Sequence, residues 1–275
     1  MDPERAVLRP IGVIHSQWGT RDEVPLGGAP AMLEVFPEFE AALDGVERSS
    51  HLVVLAWLHQ ADRSVLMARS RRIDPEVPDR GVFGTRSPDR PNPVSVSVVP
   101  LLRREGLRVH VDHLDLLDGT PLVDLKPYDP GWDGVFGARH PKRVRQSRIP
   151  DGTLLVFLRR DLQNYLGPLA ETPEARVGLA AVFHAIRAFD LPPREEALSV
   201  RTGRCDAALD ALVGLMGGHF ASGRVGIDPG IGKARFRFQA GDRTLTVVIR
   251  EDRQEVFARE DPLRWVSEGL YEEDS

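Results

Sequence analysis

The sequence predicts two domains in tandem: a mainly β N-terminal half, folded as a barrel or sandwich, and a smaller α+β C-terminal half. Three observations carry this. Strand-like apolar runs follow one another through the first half, with few stretches at helical spacing. A tract over residues 126–153, with several prolines, glycines and basic residues, then breaks the pattern. Beyond it, two apolar stripes recur at helical spacing and are followed by a strand pair. At 275 residues and 41% hydrophobic, the chain is long enough to bury two modest cores.

Taken in order, residues 6–15 and 50–58 read as strands. The second is so continuously apolar (Leu52, Val53, Val54, Leu55, Ala56, Trp57, Leu58) that both its faces should be buried. Between them, Leu33, Phe36, Phe39 and Leu43 stand at helical spacing, so 32–43 is expected to form a short helix over a barrel mouth, despite Pro37. Residues 94–103 and 107–117 form a hairpin pattern: Val94, Val96 and Val98 alternate with Ser95 and Ser97, and the turn falls at Arg104, Glu105 and Gly106. Residues 154–158 read as a short strand or tie-back. A helix over 174–189 follows, started by Glu171, Thr172 and Pro173, and a second over 206–216 is stopped by Gly217 and Gly218. Strands at 233–239 and 244–250 flank the turn Ala240, Gly241 and Asp242. The expected boundaries are therefore a barrel over 6–145, a linker or tie-back over 146–169, and an α+β module over 170–265.

Composition limits the partners. Net charge is −5, and neither half is basic: Lys and Arg number 19 against 21 acidic residues in 1–145, and 17 against 20 in 146–275. A dedicated nucleic-acid binder usually shows a positive footprint, because phosphate neutralisation dominates its affinity. Arg69, Arg71 and Arg72, or Arg139, Lys142, Arg143, Arg145 and Arg148, could build a local patch or simply a solvated face. Cys205 stands alone, so no intramolecular disulfide forms, and it reads as a buried structural thiol in a reducing compartment. The start, Met-Asp-Pro-Glu-Arg, lacks a signal-peptide pattern, and no apolar run approaches the roughly 20 residues that span a bilayer. The expectation is a soluble cytoplasmic protein with no membrane partner.

The densest chemistry lies in residues 81–95, GVFGTRSPDRPNPVS. Three prolines fix their own φ and push Ser87, Arg90 and Asn92 towards extended conformations. A stiff loop of this kind can hold Arg86 and Arg90 ready for a carboxylate or anion, at little ordering cost; a polar turn with solvated arginines is the plain alternative.

This segment resembles the signature of the TsaA-like (TrmO) family of S-adenosylmethionine-dependent methyltransferases, which are built on a β-barrel. Three further blocks are similar to the family in order: IGVIHS at 11–16 with VPLGG at 24–28, SHLVVLAWLHQ at 50–60, and LDLLDGTPLVDLKPY at 114–128. The resemblance covers about residues 6–135 and implies the cofactor S-adenosyl-L-methionine and a homodimer. It implies a cofactor site drawn from Pro25, Leu26, Gly27, His59, Gln60, Arg86, Val96, Leu117, Asp118, Gly119 and Thr120. Gln60 and the 117–120 backbone suit adenine edges or the amino-acid end of the ligand, Gly27 and Gly119 allow close approach, and Arg86 suits a carboxylate. Methyl transfer from a sulfonium needs alignment and, for a neutral acid nucleophile, a proton acceptor. His59, Asp118 and Tyr128 are the candidates, with Arg90, Asn92 and Lys126 on the substrate side. His59 can serve as base or only as a cofactor hydrogen-bonding group, and Asp118 equally suits a turn. His15, His51, His110 and His113 read as structural. Gly84 and the pair Val94-Ser95 depart from the family's usual Ala and Ile-Gly.

The second half is fainter. GRCDAALDAL at 203–212 and GIGKARFRF at 230–238 are similar to the latter part of the FmdE domain, whose His- and Cys-bearing start is replaced here by Glu174, Ala175, Arg176, Val177, Gly178 and Leu179. Cys205 alone cannot complete a soft-metal site, so no metal is expected. Three functions remain open: tRNA N6-adenosine methylation beside the anticodon, implied by the resemblance; methylation of a small molecule, with the C-terminal module setting specificity; and non-catalytic S-adenosylmethionine binding.

Overall fold

The computed structural model describes residues 7–69, 77–135, 138, 146–217 and 222–249. The chain divides into two compact units, Met1–Ala138 and Arg139–Ser275.

Among the described residues the first unit has eight strands: β1 (Gly12–His15), β2 (Ala29–Val35), β3 (His51–Trp57), β4 (Met67–Ala68), β5 (Arg80–Gly81), β6 (Val94–Glu105), β7 (Arg108–Leu114) and β8 (Thr120–Pro127). Six of them close into an antiparallel barrel in the order β1-β2-β7-β6-β3-β8, while β4 and β5 form a separate ribbon. Closure leaves none of the six with an unpaired edge. Ile14, Leu33, Leu52, Val54, Val109 and Leu122 are all fully buried in its interior. A short helix, α1 (Pro130–Asp133), follows β8, with the Asp129 carboxylate accepting the Gly131 N–H at its start.

Two sequence expectations change here. β3 is not buried on both faces: Leu52, Val54 and Ala56 are fully buried, whereas Val53, Leu55 and Trp57 are half-buried on the outer wall. On that wall they pair with Val98, Val96 and Val94, so the valines that alternate with serine point outward; Val96 is 50% exposed. Residues 32–43 are not one helix. Leu33 belongs to β2, which is paired on both sides by β1 and β7, and a 3₁₀ turn begins only at Pro37–Leu43. The two-sided ladder outweighs the helical spacing, and Pro37, with no N–H to donate, ends the strand and opens the turn. The hairpin of β6 and β7 matches expectation, with its turn at Gly106, φ 61°.

Antiparallel alternation decides where the loops go. The β1–β2 loop (16–28), the β3–β6 connection (58–93) and the β7–β8 loop (115–119) emerge at one end of the barrel. The segment 36–50, the Gly106 turn and the exit of β8 lie at the other, where the Tyr128 N–H bonds the His51 carbonyl at 3.1 Å.

The second unit contains α2 (Asp151–Leu166), α3 (Pro173–Phe189), α4 (Ala207–Met216) and the strands β9 (Leu198–Thr202), β10 (Val225–Ile227), β11 (Arg235–Ala240) and β12 (Arg243–Val248). The sheet order is β10-β9-β11-β12, with β9 and β10 parallel and the other pairs antiparallel. Thr172 and Asp206 cap α3 and α4 through the N–H groups of Ala175 and Ala208, and Gly217 ends α4 in the left-handed region. α3 is buried along most of its length. At Gly178 a Cβ would sit 2.6 Å from the Ala208 carbonyl, so glycine permits the close crossing with α4.

The strand or tie-back expected at 154–158 is instead part of α2. Leu154, Leu155, Leu158 and Leu162 are buried along one helical stripe, and a short apolar run cannot by itself separate strand from helix. Cys205, expected to be buried, is exposed in the turn between β9 and α4. Of the basic runs noted in the sequence, Arg71, Arg72, Arg139, Lys142, Arg143 and Arg145 lie outside the described residues; Arg69 pairs with Asp79 at 3.3 Å.

Candidate functional site

The three connections at one barrel end are stitched to one another. Gly28 adopts φ +73°, donates its N–H to the Pro25 carbonyl, and packs against the end of β7 so closely that a Cβ would lie 2.3 Å from the His113 carbonyl carbon. His113 itself has φ 56°, a position rare for a side chain of its size. Pro25, Leu26 and the buried Gly27 are thereby fixed in a tight turn on the rim.

Asp118 ties the last loop to the first. Its N–H donates to the Trp18 carbonyl, its Oδ1 accepts the Ser16 N–H at 3.1 Å, and His15 Nδ1 lies 3.9 Å away. The other ring nitrogen of His15 is 2.9 Å from Glu34 Oε2. Gly119, φ +73°, donates to the Ile14 carbonyl, and the buried Thr120 hydroxyl donates to the Leu117 carbonyl at 2.7 Å. The Asp118 side chain stays 55% exposed, so one oxygen edge faces solvent above this turn.

In the long connection the two arginines of the proline-rich segment take different tasks. Arg90 donates from Nε to the Ser87 carbonyl and from Nη2 to the carbonyls of Val82 and Thr85, at 2.6–2.9 Å. It is a staple inside the loop: Nε and Nη2 are taken by three carbonyls, which leaves only Nη1 for the substrate-side role expected of it. Arg86 is exposed and has no side-chain hydrogen bond or ion pair among the described residues. Asp89 clamps the same loop. Both its oxygens lie 2.9 Å from Arg21 Nη1 and it accepts the Asp62 N–H, while Arg21 Nη2 reaches the Gln60 carbonyl at 2.6 Å. His59 and Gln60 stand exposed at the start of this connection, their side chains 3.5 Å apart.

The structure therefore brings Pro25, Leu26, Gly27, His59, Gln60, Arg86 and the turn Leu117, Asp118, Gly119 and Thr120 to one end of the barrel. Asn92 is exposed in the same connection, and Val96 lies three residues into β6 on the outer wall. Two candidates are placed elsewhere. Tyr128 and Lys126 lie at the far end of β8, beside the start of β3, and His59 follows the end of β3. Six strand residues separate those ends by about 20 Å, so within one chain neither reaches the loop cluster; Lys126 pairs with Asp124 at 2.6 Å. The register of β8 on β3, invisible in the sequence, makes this correction.

Arg21, Trp18 and Asp89 join this loop cluster without a signal in the sequence. Arg21 and Asp89 stand 68 positions apart, so no local pattern joins them. Trp18 Nε1 is buried without an acceptor, on the loop whose Trp18 carbonyl accepts the Asp118 N–H. Among the described residues no three of His, Cys, Asp and Glu are grouped to hold a metal ion.

Glycine turns on the rim, an orphaned indole N–H and an unpaired guanidinium gather at the loop end of a closed β-barrel, the chemistry of a ligand-binding class of barrel. Comparison with known proteins gives the class a family. The model of the tRNA-methyltransferase O N-terminal domain matches residues 13–134. A protein of Archaeoglobus fulgidus named "S-adenosyl-L-methionine-binding protein" is 40% identical over 134 residues, 47% of this chain and 94% of that protein. A Methanothermobacter thermautotrophicus protein named "Probable S-adenosyl-L-methionine-binding protein" is 44% identical over 127 residues, 44% of this chain and 88% of its own length. A second, longer A. fulgidus protein with that name is 43% identical over 137 residues, 48% of this chain but only 36% of that protein. A crystal structure of TrmO from Pseudomonas aeruginosa is 34% identical, with 50% of this chain and 61% of that chain covered, at a TM-score of 0.42. The chain belongs to the TsaA-like, TrmO family, whose cofactor is S-adenosyl-L-methionine.

The residues present fit that cofactor. Arg86 offers an unpaired cation for its carboxylate, the buried Trp18 Nε1 lacks an acceptor, and the turns at Gly27–Gly28 and Gly119 let backbone approach without a Cβ between.

Proposed function

We propose that the loop end of the barrel binds S-adenosyl-L-methionine and that the chain transfers its methyl group to N6 of a modified adenosine beside the anticodon of a tRNA. The observation that supports this best is the convergence of His59, Gln60, Arg86 and the 117–120 turn with Pro25, Leu26 and Gly27 at one end of the barrel. When bound, the cofactor supplies an electrophilic methyl carbon on a sulfonium. Arg86 holds its carboxylate; Gln60 and the 117–120 backbone orient it; the stitched loops keep these groups in place without reordering. His59, exposed beside Gln60, is the proton acceptor for the incoming amine, and Asp118, fixed by the Ser16 N–H, is the second acceptor on the same rim. Asn92 is left as a substrate-side group at this end.

The same reading includes a homodimer. Val96 and Val98 are 50% and 37% exposed on the outer wall, beside the half-buried Val53 and Leu55 on β3, and this apolar ladder continues from the rim that holds the site. Val96 joins the cofactor site in this reading only where a partner subunit's rim meets this wall. Tyr128 and Lys126, remote within one chain, enter the chemistry only if a partner subunit supplies them.

A small-molecule substrate is the second reading. It is favoured by the charge balance, since neither half carries a basic excess. Mass spectrometry of nucleosides and metabolites from cells with and without the protein decides between them: loss of an N6-methylated adenosine supports the first, and loss of a methylated metabolite with unchanged tRNA the second.

A further inference from the structure

The open face of the second unit's sheet carries a basic strip that the barrel's chemistry does not use. In β11 the residues Phe236 and Phe238 are fully buried beneath the helices, which turns Arg235, Arg237 and Gln239 to the opposite, exposed face. Arg237 is paired directly with Arg201 of β9. Like charges placed opposite each other in a sheet oppose folding, so this pair is kept against a local cost. No described carboxylate relieves it. Arg235 and Arg237 make no side-chain hydrogen bond or ion pair among the described residues, and the positions paired around them on this face are Ser199, Gly226, Thr244, Thr246 and Val248. Gly226, opposite Arg201, matters too: a Cβ there would lie 3.2 Å from the Arg201 side chain, so glycine leaves room for the guanidinium to lie along the sheet. Thr246 is buried, and the accessible strip therefore runs along β11 and β9 and not across to β12.

We propose that this strip binds the phosphate backbone of a folded RNA. The proposal rests on the reading of tRNA as the substrate and adds a place on the second unit where the backbone of that RNA is held. Strand spacing sets Arg235 and Arg237 about 7 Å apart along β11, so their two guanidiniums can meet successive phosphates; Arg201, half-buried opposite Arg237 with Nη1 donating to the Val200 carbonyl at 2.9 Å, adds positive charge beside them, with Gln239 and Ser199 as neutral hydrogen-bonding neighbours. Aromatic side chains are absent from the described residues of this face, because Phe236 and Phe238 point inward. Unstacked bases need such platforms, so the contact is to the backbone and is indifferent to base sequence. Over 139–275 Lys and Arg number 21 against 20 acidic residues, so the attraction comes from local clustering of cations and not from net charge.

The test uses the full chain, with Arg235→Gln and Arg237→Gln combined; neither side chain has a partner to lose, and a thermal melt confirms the fold. Binding of unfractionated tRNA is followed by fluorescence anisotropy across a salt series. The expected result is at least about tenfold weaker binding near 0.1 M salt, and a slope of log affinity on log salt reduced by about 1.5, for two lost phosphate contacts. An unchanged affinity and slope overturns the proposal. Polyglutamate competing as well as tRNA at matched charge also overturns it, because the strip then takes acidic peptides. The two readings fail separately. If the variant loses tRNA binding while no tRNA nucleoside depends on the protein in cells, the strip stands and the substrate assignment falls. If tRNA methylation persists in the variant with the same KM, the assignment stands and the strip falls.

Discussion

Arg86 and Arg90 are four positions apart in one proline-stiffened loop, yet their surroundings make them opposites. Arg86 is exposed and unpartnered, whereas Arg90 spans the carbonyls of Val82, Thr85 and Ser87. Arg86→Ala is expected to lower S-adenosylmethionine affinity by roughly tenfold to a hundredfold in calorimetry, the scale of one charge-assisted contact, with the melting temperature unchanged. Arg90→Ala should do the reverse at first order: the barrel unit loses about 1–3 kcal/mol of stability because the part-buried carbonyls of Thr85 and Ser87 lose the Arg90 donor. Equal losses of affinity with no change in melting for both variants would refute this division. Gly28 makes a third residue-scale prediction. With φ +73° and no room for a Cβ beside His113, Gly28→Ala should cost more than about 1 kcal/mol, read as a lowered denaturant midpoint.

At the scale of elements, α3 carries a titratable group inside the second unit. His184 is 8% exposed, and burial pushes its pKa from the usual 6.5 down to about 4, against the opposing pull of the Asp151 carboxylate. The folded state thus holds the neutral ring while the unfolded chain binds a proton. Stability is fully present above about pH 6.5 and is lost as pH falls towards about 4, by at most ~3 kcal/mol. Denaturant midpoints measured from pH 7 to pH 4 should fall over that window, and His184→Gln should flatten that part of the profile; an equally steep profile in the variant would assign the loss to other groups. On β6, the outward valines test the dimer: Val96→Asp with Val98→Asp is expected to convert a dimer to a monomer in light scattering at micromolar concentration. A wild-type protein already monomeric with full cofactor binding would remove the dimer.

For the molecule as a whole, the two units set where it can be cut. α2 packs its leucines within the second unit, so a fragment ending at 169 would strand Leu154, Leu155, Leu158 and Leu162 without their partners. A fragment ending at 138 keeps the closed barrel and every rim residue. The shorter fragment is expected to bind S-adenosylmethionine within about threefold of the full chain while the longer one aggregates; since RT ln 3 is about 0.6 kcal/mol, this amounts to little change in the site. A barrel fragment without cofactor affinity would show that the second unit completes the site. Among the described residues no helix is long and apolar enough to cross a membrane.

The sequence alone determined the parts whose causes are local. The strands β1, β3, β11 and β12, the β6–β7 hairpin, and the helices α3 and α4 with their Thr172, Asp206 and Gly217 ends follow from spacing and capping chemistry that act within a few residues. The family and the rim residues were legible because the signature blocks are contiguous in the chain. Tertiary structure decided what depends on pairing at a distance. It turned Val94, Val96 and Val98 outward, because an alternating strand states two faces without saying which one meets the core. It gave 154–158 to a helix, since only packing against α3 and α4 separates the two readings of a short apolar run. It spent Arg90 on carbonyls and joined Arg21 to Asp89 across 68 positions. It carried Tyr128 and Lys126 to the far end of the barrel because antiparallel register fixes which end of a strand each residue occupies, and register is a property of the closed sheet, not of any one segment.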